Sequence, residues 1–141
     1  MKENFENKFM EIQEGLISLC LELTESKVDK IFVYASMEAK TTMFDAFFVR
    51  DGKVLTTNLL GIDKKRIVDF LGIGIMDLLK IRSLCEQNET QTPSEIKMFY
   101  DVKSHKFNAD YKYGEICSYK TGLSSSDVFT QWYNEIKEQI E

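Results

Sequence analysis

The sequence predicts one α+β domain in which helices pack against an antiparallel sheet. Three stretches carry apolar residues at spacings of three and four, which indicates amphipathic helices. Five shorter stretches are rich in β-branched and aromatic residues and are separated by short links, which is typical of hairpins. The predicted order is α-β-β-β-α-β-β-α. Because no linker or low-complexity tract divides the 141 residues, we expect residues 1–141 to form a single domain.

The first predicted helix covers residues 3–24. Its apolar side chains repeat along one face, at Phe5, Phe9, Ile12, Leu16, Leu19, Cys20 and Leu23. A coiled-coil seam is the alternative interpretation, but the pattern lasts for only about three heptads. Gly15 lowers the helix propensity by about 1 kcal/mol relative to Ala, and we expect it to mark a close contact with another helix.

Three strands are predicted next. Residues 28–38 form a nearly continuous run of apolar, β-branched and aromatic side chains, which predicts a strand that is central in the sheet or covered on both faces. Residues 42–50 alternate between two faces. Asp51-Gly52 predicts a tight hairpin turn, because glycine adopts positive φ without strain. Residues 53–58 then return as a third, short strand.

A second helix is predicted after Asp63, whose carboxylate can accept hydrogen bonds from the free N–H groups of a first helical turn. Its apolar stripe consists of Ile67, Phe70, Leu71, Gly74, Leu78, Ile81 and Cys85. The helix ends in a polar loop, and Pro93 then opens the next strand.

A second hairpin and a third helix complete the pattern. Residues 94–103 and 106–113 alternate between apolar and polar side chains, which predicts a half-buried antiparallel hairpin with Ser104-His105 at its turn. Residues 124–127 carry capping side chains for a final helix. The apolar face of that helix consists of Phe129, Trp132, Tyr133, Ile136 and Ile140.

Charge and hydropathy exclude two classes of partner. The formal net charge of −5 disfavours direct nucleic-acid binding, because such proteins neutralise phosphates with a basic surface. The first residues lack the basic start and apolar stretch of a signal peptide. The most apolar region, residues 67–79, is interrupted by Asp69 and Asp77 and is shorter than a membrane span. We therefore expect a cytoplasmic protein that binds neither nucleic acid nor membrane.

Residues that could carry chemistry are few and isolated. Cys20, Cys85 and Cys117 are far apart, so neither a disulfide framework nor a zinc site is predicted. Cys20 and Cys85 are expected to be reduced thiols in the core. The single histidine, His105, lies at a predicted hairpin tip, which is a poor scaffold for a catalytic dyad or triad. We therefore predict no metal, no cofactor and no enzymatic activity.

Carboxylates on the two predicted hairpins form a candidate surface for a protein partner. Asp45 and Asp51 belong to the first hairpin, and Asp101 and Asp110 belong to the second. An ordinary solvated sheet face is one interpretation. The other is an acidic surface that meets a basic partner, because complementary charge speeds encounter. The last third of the chain is also rich in aromatic residues that belong either to the core or to an interface, namely Tyr100, Tyr111, Tyr113, Tyr119, Trp132 and Tyr133.

The second predicted hairpin carries a recognisable motif. Residues 93–103 (PSEIKMFYDVK) form an alternating strand that a short turn separates from residues 106–113 (KFNADYKY), and the second strand ends in Asp110-Tyr111-Lys112-Tyr113. A late helix with an aromatic pair, Trp132-Tyr133, follows. This pattern resembles the YezG-like immunity protein family, and the order of the predicted elements is similar along the whole chain.

The resemblance implies a function. Proteins of that family act as cytoplasmic antitoxins in bacteria, where they bind and neutralise secreted polymorphic toxins, often nucleases, made by the same cell. We accordingly expect a non-enzymatic, stoichiometric inhibitor whose partner is a cognate toxin protein. The residues expected to contact the toxin are Asp101, Asp110, Tyr111, Tyr113 and Glu115, with Asp45 and Asp51 as a second cluster. The sequence leaves open whether the protein is a monomer or a homodimer.

Two other classes of function are consistent with the sequence. A helix laid over a curved sheet can leave an apolar cavity for a small molecule or a lipid. The side chains expected to line such a cavity are Phe32, Phe44, Phe48, Phe99 and Phe107. An enzyme would instead need a cleft that holds two carboxyl groups with separated pKa values.

Overall fold

The structure, a computed structural model, describes residues 2–38, 41–116 and 121–141. Its helices and strands are α1 (Lys2–Thr24), β1 (Lys30–Ser36), β2 (Met43–Arg50), β3 (Lys53–Thr56), α2 (Lys64–Gln87), β4 (Glu95–Asp101), β5 (Phe107–Lys112) and α3 (Ser125–Ile140). The predicted α+β class and the predicted order are confirmed. The link at residues 39–41 falls partly outside the described residues, and Cys117 and Tyr119 fall outside them entirely.

The five strands form one antiparallel sheet in the order β3-β2-β1-β4-β5. β1 is the central strand, where Ile31 pairs with Phe48 of β2 and with Tyr100 of β4. Side chains of β1 are buried on both faces, Ile31 on one and Phe32 and Tyr34 on the other. The burial of both faces explains why this strand reads as a continuous apolar run.

Helices α1 and α2 pack side by side on one face of the sheet. Leu16 and Cys20 of α1 and Leu78 and Ile81 of α2 have no exposed surface and belong to one core with the sheet. Cys85, near the end of α2, is also buried with a free thiol. Burial raises the pKa of both cysteines, so the expected core thiols are confirmed.

Helix α2 approaches β2 most closely at Gly74. A methyl group placed on Gly74 would come within 2.1 Å of Cδ2 of Phe44, a ring that is itself only 3 % exposed. The Phe44 ring packs against Phe70 of the same helix, with centroids 5.2 Å apart. Glycine is therefore the residue that lets this helix settle on the sheet.

Helix α3 covers the opposite face through a cluster of aromatic rings centred on Phe47. The ring of Phe47 stacks on Phe32 at 4.8 Å and meets the edges of Trp132 at 5.0 Å and Tyr133 at 5.4 Å. The helix begins with a capping box, in which Ser124 and Asp127 each accept a hydrogen bond from the other's backbone N–H group. The predicted capping residues and apolar face are thus confirmed.

Some local expectations differ from the structure. β3 ends at Thr56 rather than at residue 58, because Thr57–Leu59 form a 3₁₀ turn. Asp63 is the N-cap of α2, but its side chain accepts no capping hydrogen bond. The contact expected at Gly15 is wrong, since a methyl group there would meet nothing within 4 Å. None of the helices in the described ranges combines the length and apolar character needed to cross a membrane.

Candidate partner-binding edge of the sheet

The edge of the sheet formed by β3 is closed by the end of α3. Because Arg50 pairs with Lys53 across a two-residue turn, the backbone groups of Val54 point away from β2. The N–H of Val54 donates to Oε2 of Glu141 at 2.9 Å, and its carbonyl accepts from the Tyr133 hydroxyl at 3.3 Å. The first of these bonds also holds the pKa of the Glu141 carboxyl below its usual range. The outward polar groups of Val54 are therefore satisfied within the chain.

The edge formed by β5 is open. The N–H of Asp101 donates to the carbonyl of Lys106 at 2.9 Å, so the even-numbered residues of this strand direct their backbone groups towards β4. Inward and outward groups alternate along an antiparallel strand, and the N–H and C=O groups of Phe107, Ala109 and Tyr111 accordingly point outwards. In the described part of the chain no strand lies beside them. Such a row of groups can pair with an extended segment of another polypeptide.

An apolar cleft of about 400 Å³ lies next to the open edge, between α1, the loop before β4 and the end of β5. Its apolar side chains are Phe5, Phe9, Met10, Pro93, Tyr111 and Tyr113. Met10, Tyr111 and Tyr113 keep exposed fractions of 41 %, 40 % and 52 %, which is high for large apolar side chains. Tyr111 belongs to both features, so they form one surface. We refer to the outer edge of β5 together with this cleft as the β5-edge site.

The wall of the β5-edge site is held in place by Gln13 of α1, which has no exposed surface. The Tyr111 hydroxyl lies 2.7 Å from Nε2 and 2.9 Å from Oε1 of this amide. The Tyr111 ring also meets Phe9 edge-on at 5.9 Å. The same burial raises the pKa of the Tyr111 hydroxyl. A surface fixed in this way loses little side-chain entropy when a partner binds.

The other face of β5 carries charges of both signs. Asp110 is exposed and lies opposite Lys97 of β4 in the strand register. Lys112 is exposed as well, and its Nζ lies 3.9 Å from Oε2 of Glu95, a carboxylate that is only 2 % exposed. The hydroxyl of Tyr34 donates to the other oxygen of Glu95 at 3.0 Å. Side chains at alternate positions of β5 therefore offer an apolar face and a mixed polar face.

Two predicted contact residues lie at the same end of the sheet, Asp51 in the turn after β2 and Asp101 at the end of β4. Oδ1 of Asp101 accepts from the N–H groups of Lys103 at 3.1 Å and Ser104 at 3.0 Å, and the bond from Ser104 lowers its pKa. The N–H of Asp51 donates to the carboxylate of Asp29 at 3.0 Å. The carboxylates of Asp29 and Asp101 thus stabilise turns, and this structural role explains their presence without a binding partner.

Asp45 and Glu115 lie apart from the other members of the two clusters of contact residues that we predicted from the sequence. Asp45 is half-buried within β2, where burial raises its pKa, and Asp51 follows six residues later, roughly 20 Å along an extended strand. Glu115 is exposed beyond β5 and lines a separate polar cleft with Arg82. Of the predicted contact residues, the β5-edge site brings together Tyr111 and Tyr113, with Asp110 on the opposite face of the same strand.

The apolar cavity expected among five phenylalanines is wrong in its location. Phe32 stacks on Phe47 under α3 and lies 5.1 Å from Phe99, while Phe44 and Phe48 are buried beneath the other two helices. Phe107 packs against the edge of that second core. These rings fill the space between the layers, because α1, α2 and α3 sit directly on the sheet. The apolar cleft lies beside α1 instead.

His105 lies in the turn of the second hairpin, next to a tyrosine. His105 adopts φ 62° at the tip of the second hairpin, and its Nδ1 lies 2.7 Å from the Tyr100 hydroxyl. Among residues 2–38, 41–116 and 121–141, no three His, Cys, Asp or Glu side chains gather closely enough to hold a metal ion.

The sequence reading missed the part of the site that α1 contributes. The sequence feature that indicates this contribution is Gln13, a polar residue within the apolar stripe that runs from Phe9 to Leu16. A buried amide must find a hydrogen-bond partner, so it pointed to a polar group on the sheet. The closed β3 edge could not be foreseen, because it depends on how far α3 reaches across the sheet. No protein-family model matches the chain, and no curated protein matches it significantly.

Proposed function

We propose that this protein is an immunity protein that binds a cognate secreted toxin and neutralises it stoichiometrically. The proposal follows the resemblance of residues 93–113 to the YezG-like family. It takes the partner to be a toxin made by the same bacterial cell, with nucleases as one class that the family often neutralises, and the cytoplasm as the place where the two proteins meet.

The observation that supports this function most is the open edge of β5 beside the apolar cleft. An extended segment of the toxin could pair with the outward backbone groups of Phe107, Ala109 and Tyr111. Its side chains would alternate between the two faces of the enlarged sheet. Those on the helix side would enter the cleft near Met10 and Tyr113. The partner segment is therefore expected to carry apolar residues at alternate positions.

Charge has a different role from backbone pairing in this proposal. The net charge of −5 would speed encounter with a basic toxin domain without determining where it docks. Asp110 and Glu115 are exposed and close to the end of β5, so they are the acids expected to act in steering. Asp101 is engaged in a turn, and Asp45 is half-buried. Neutralising those two should alter stability more than association.

A paired variant tests both the function and the site. The protein is co-expressed with the toxin encoded by the neighbouring gene, and complex formation and rescue of growth are measured. Ala109→Pro removes one outward N–H group but no hydrogen bond to β4, and proline is tolerated at such edge positions. Ala109→Ser keeps the N–H and serves as the control. We expect Ala109→Pro to weaken binding about tenfold or more and Ala109→Ser to bind normally.

The possible outcomes distinguish the immunity function itself from the site at which the toxin binds. A wild-type protein that neither associates with the toxin nor rescues growth refutes the immunity function. A folded Ala109→Pro protein that binds as tightly as the wild type leaves the function standing and excludes pairing at β5. Circular dichroism and the fluorescence of Trp132 check that both variants fold.

A second candidate function is the binding of a small apolar molecule. The volume of the cleft, about 400 Å³, falls within the range of ligand sites. Thermal unfolding of the protein with a panel of fatty acids and aromatic compounds tests this function. A ligand that raises the melting temperature of the wild type but not of Tyr113→Ala would support it, and a panel without any such compound would count against it.

A further inference from the structure

The outer surface of α2 carries an apolar stripe that faces away from the sheet. Val68, Met76 and Leu79 are 57 %, 60 % and 47 % exposed. At about 100° per residue they fall on one side of the helix, opposite the buried Phe70, Leu78 and Ile81. Gly72 and Ser83 are exposed on the same side, and Ile75 borders it, partly buried against the core. Exposed apolar surface of this kind is typical of an interaction site.

Apart from Ile75, which packs against the core, the residues of the stripe have no packing partner within the described ranges. Helix α2 packs on α1, on β2 and on the 3₁₀ turn through its other side. Lys65 extends the stripe at the N-terminal end and Glu86 extends it at the C-terminal end, and both are exposed. The distance between these two positions is about 32 Å along the helix axis, so they cannot touch each other within one molecule.

The spacing of these residues is the same when it is read from either end. The stripe consists of Lys65, Val68, Gly72, Ile75, Met76, Leu79, Ser83 and Glu86, at intervals of three, four, three, one, three, four and three residues. An antiparallel copy of the helix, centred between Ile75 and Met76, places a small residue opposite a large one, Gly72 opposite Leu79 and Ser83 opposite Val68. A two-fold interface requires this kind of self-complementarity.

The charges at the ends of the stripe follow the same register. In an antiparallel pair, Lys65 of one copy lies opposite Glu86 of the other, and the contact occurs twice because of the two-fold axis. Asp69 lies on the same flank as Lys80 of the second copy. A parallel arrangement would instead place Lys65 opposite Lys65. The charge pattern therefore selects one direction of pairing.

We propose that the occupant of this face is a second copy of the same chain, packed antiparallel through α2. The inference is independent of the proposed toxin binding, because α2 packs on β2 whereas β5 is at the far edge of the sheet. Since one helix pair buries less surface than a standard interface of about 1,600 Å², the dimer is expected to dissociate at micromolar concentrations.

Analytical ultracentrifugation over a wide range of protein concentrations tests the dimer. Met76→Glu places two charges at the centre of the interface and should raise the dissociation constant about tenfold or more. Leu59→Glu is the matched control, because Leu59 is 56 % exposed but belongs to the 3₁₀ turn and lies outside the stripe. It should leave the dissociation constant unchanged.

Charge exchange tests the direction of pairing. Lys65→Glu and Glu86→Lys should each weaken the dimer several-fold, and the double variant should restore it, because the two residues meet only between copies. A protein that stays monomeric up to several hundred micromolar overturns the proposal. So does a dimer that Met76→Glu leaves intact, or one that the double variant fails to restore. Loss of toxin binding in Met76→Glu, in a monomeric wild type, would assign the stripe to the toxin instead.

Discussion

The contact between Gly74 and Phe44 makes a quantitative prediction about packing. In Gly74→Ala, the new methyl group would lie 2.1, 2.3 and 2.5 Å from three ring carbons of Phe44. Ordinary contact between carbon atoms begins near 3.5 Å, so the ring or the helix must move by more than about 1 Å. Phe44 is buried against Phe70 and has little room to do so. Overpacking of this kind costs about 1–3 kcal/mol.

A second glycine separates overpacking from helix propensity. Gly15 lies inside α1, and a methyl group there would meet nothing within 4 Å. Replacing it with alanine should raise the free energy of unfolding by about 1 kcal/mol, the ordinary difference between the two residues in a helix. Gly74→Ala gains the same helix propensity, but the overpacking against Phe44 destabilises it. We therefore expect the free energy of unfolding of Gly74→Ala to be about 1–3 kcal/mol lower than that of Gly15→Ala.

Urea unfolding followed by circular dichroism measures both variants. The single variant Phe44→Leu and the double variant Phe44→Leu with Gly74→Ala complete the cycle, because a smaller side chain at position 44 should relieve the clash and give a favourable coupling energy. If Gly74→Ala proves as stable as Gly15→Ala, the close approach of α2 to β2 is refuted. A coupling energy near zero would mean that the two residues do not meet.

Three other predictions concern polar groups. Because burial raises the pKa of Asp45, its charged form costs stability above that raised pKa. Asp45→Asn should therefore increase stability at pH 7, and the gain should vanish below the ordinary carboxyl pKa of about 4 in a pH series of unfolding curves. Ser124→Ala removes the cap of α3 and should cost about 1 kcal/mol, reported by the fluorescence of Trp132, the single tryptophan. Tyr111→Phe leaves the amide of Gln13 buried without its hydroxyl partner and should cost about 1–3 kcal/mol in chemical unfolding, whereas adding Gln13→Leu should recover most of that loss.

Hydrophobic periodicity was sufficient to predict the class and order of the fold. The continuous apolar run around Ile31 and Phe32 indicated the central strand, since a strand buried on both faces needs apolar residues at every position. Ser124 and Asp127 are separated by the interval of a capping box, and they form one. These features depend on local spacing, which the sequence states directly.

Features that depend on register and docking were beyond the sequence. Asp45 and Asp51 share a hairpin, but one is half-buried within a strand and the other lies at an exposed turn. Asp51 and Asp101 are fifty residues apart, and the strand order brings them to one end of the sheet. Gly15 and Gly74 are both glycines within helices, and although the apolar stripe places Gly74 on the core side, only the position of Phe44 shows that its Cβ would clash. Each difference follows from tertiary contacts rather than from composition.

The closed edge at Val54 has a consequence for how far assembly can proceed. A sheet with two unsatisfied edges can add strands on both sides and polymerise. Here a strand could add to β3 only by displacing the hydrogen bonds from Val54 to Glu141 and from Tyr133 to Val54, whereas no strand lies beside the outward groups of β5 in the described part of the chain. The two edges therefore differ in the cost of adding a strand, which disfavours polymerisation through both of them.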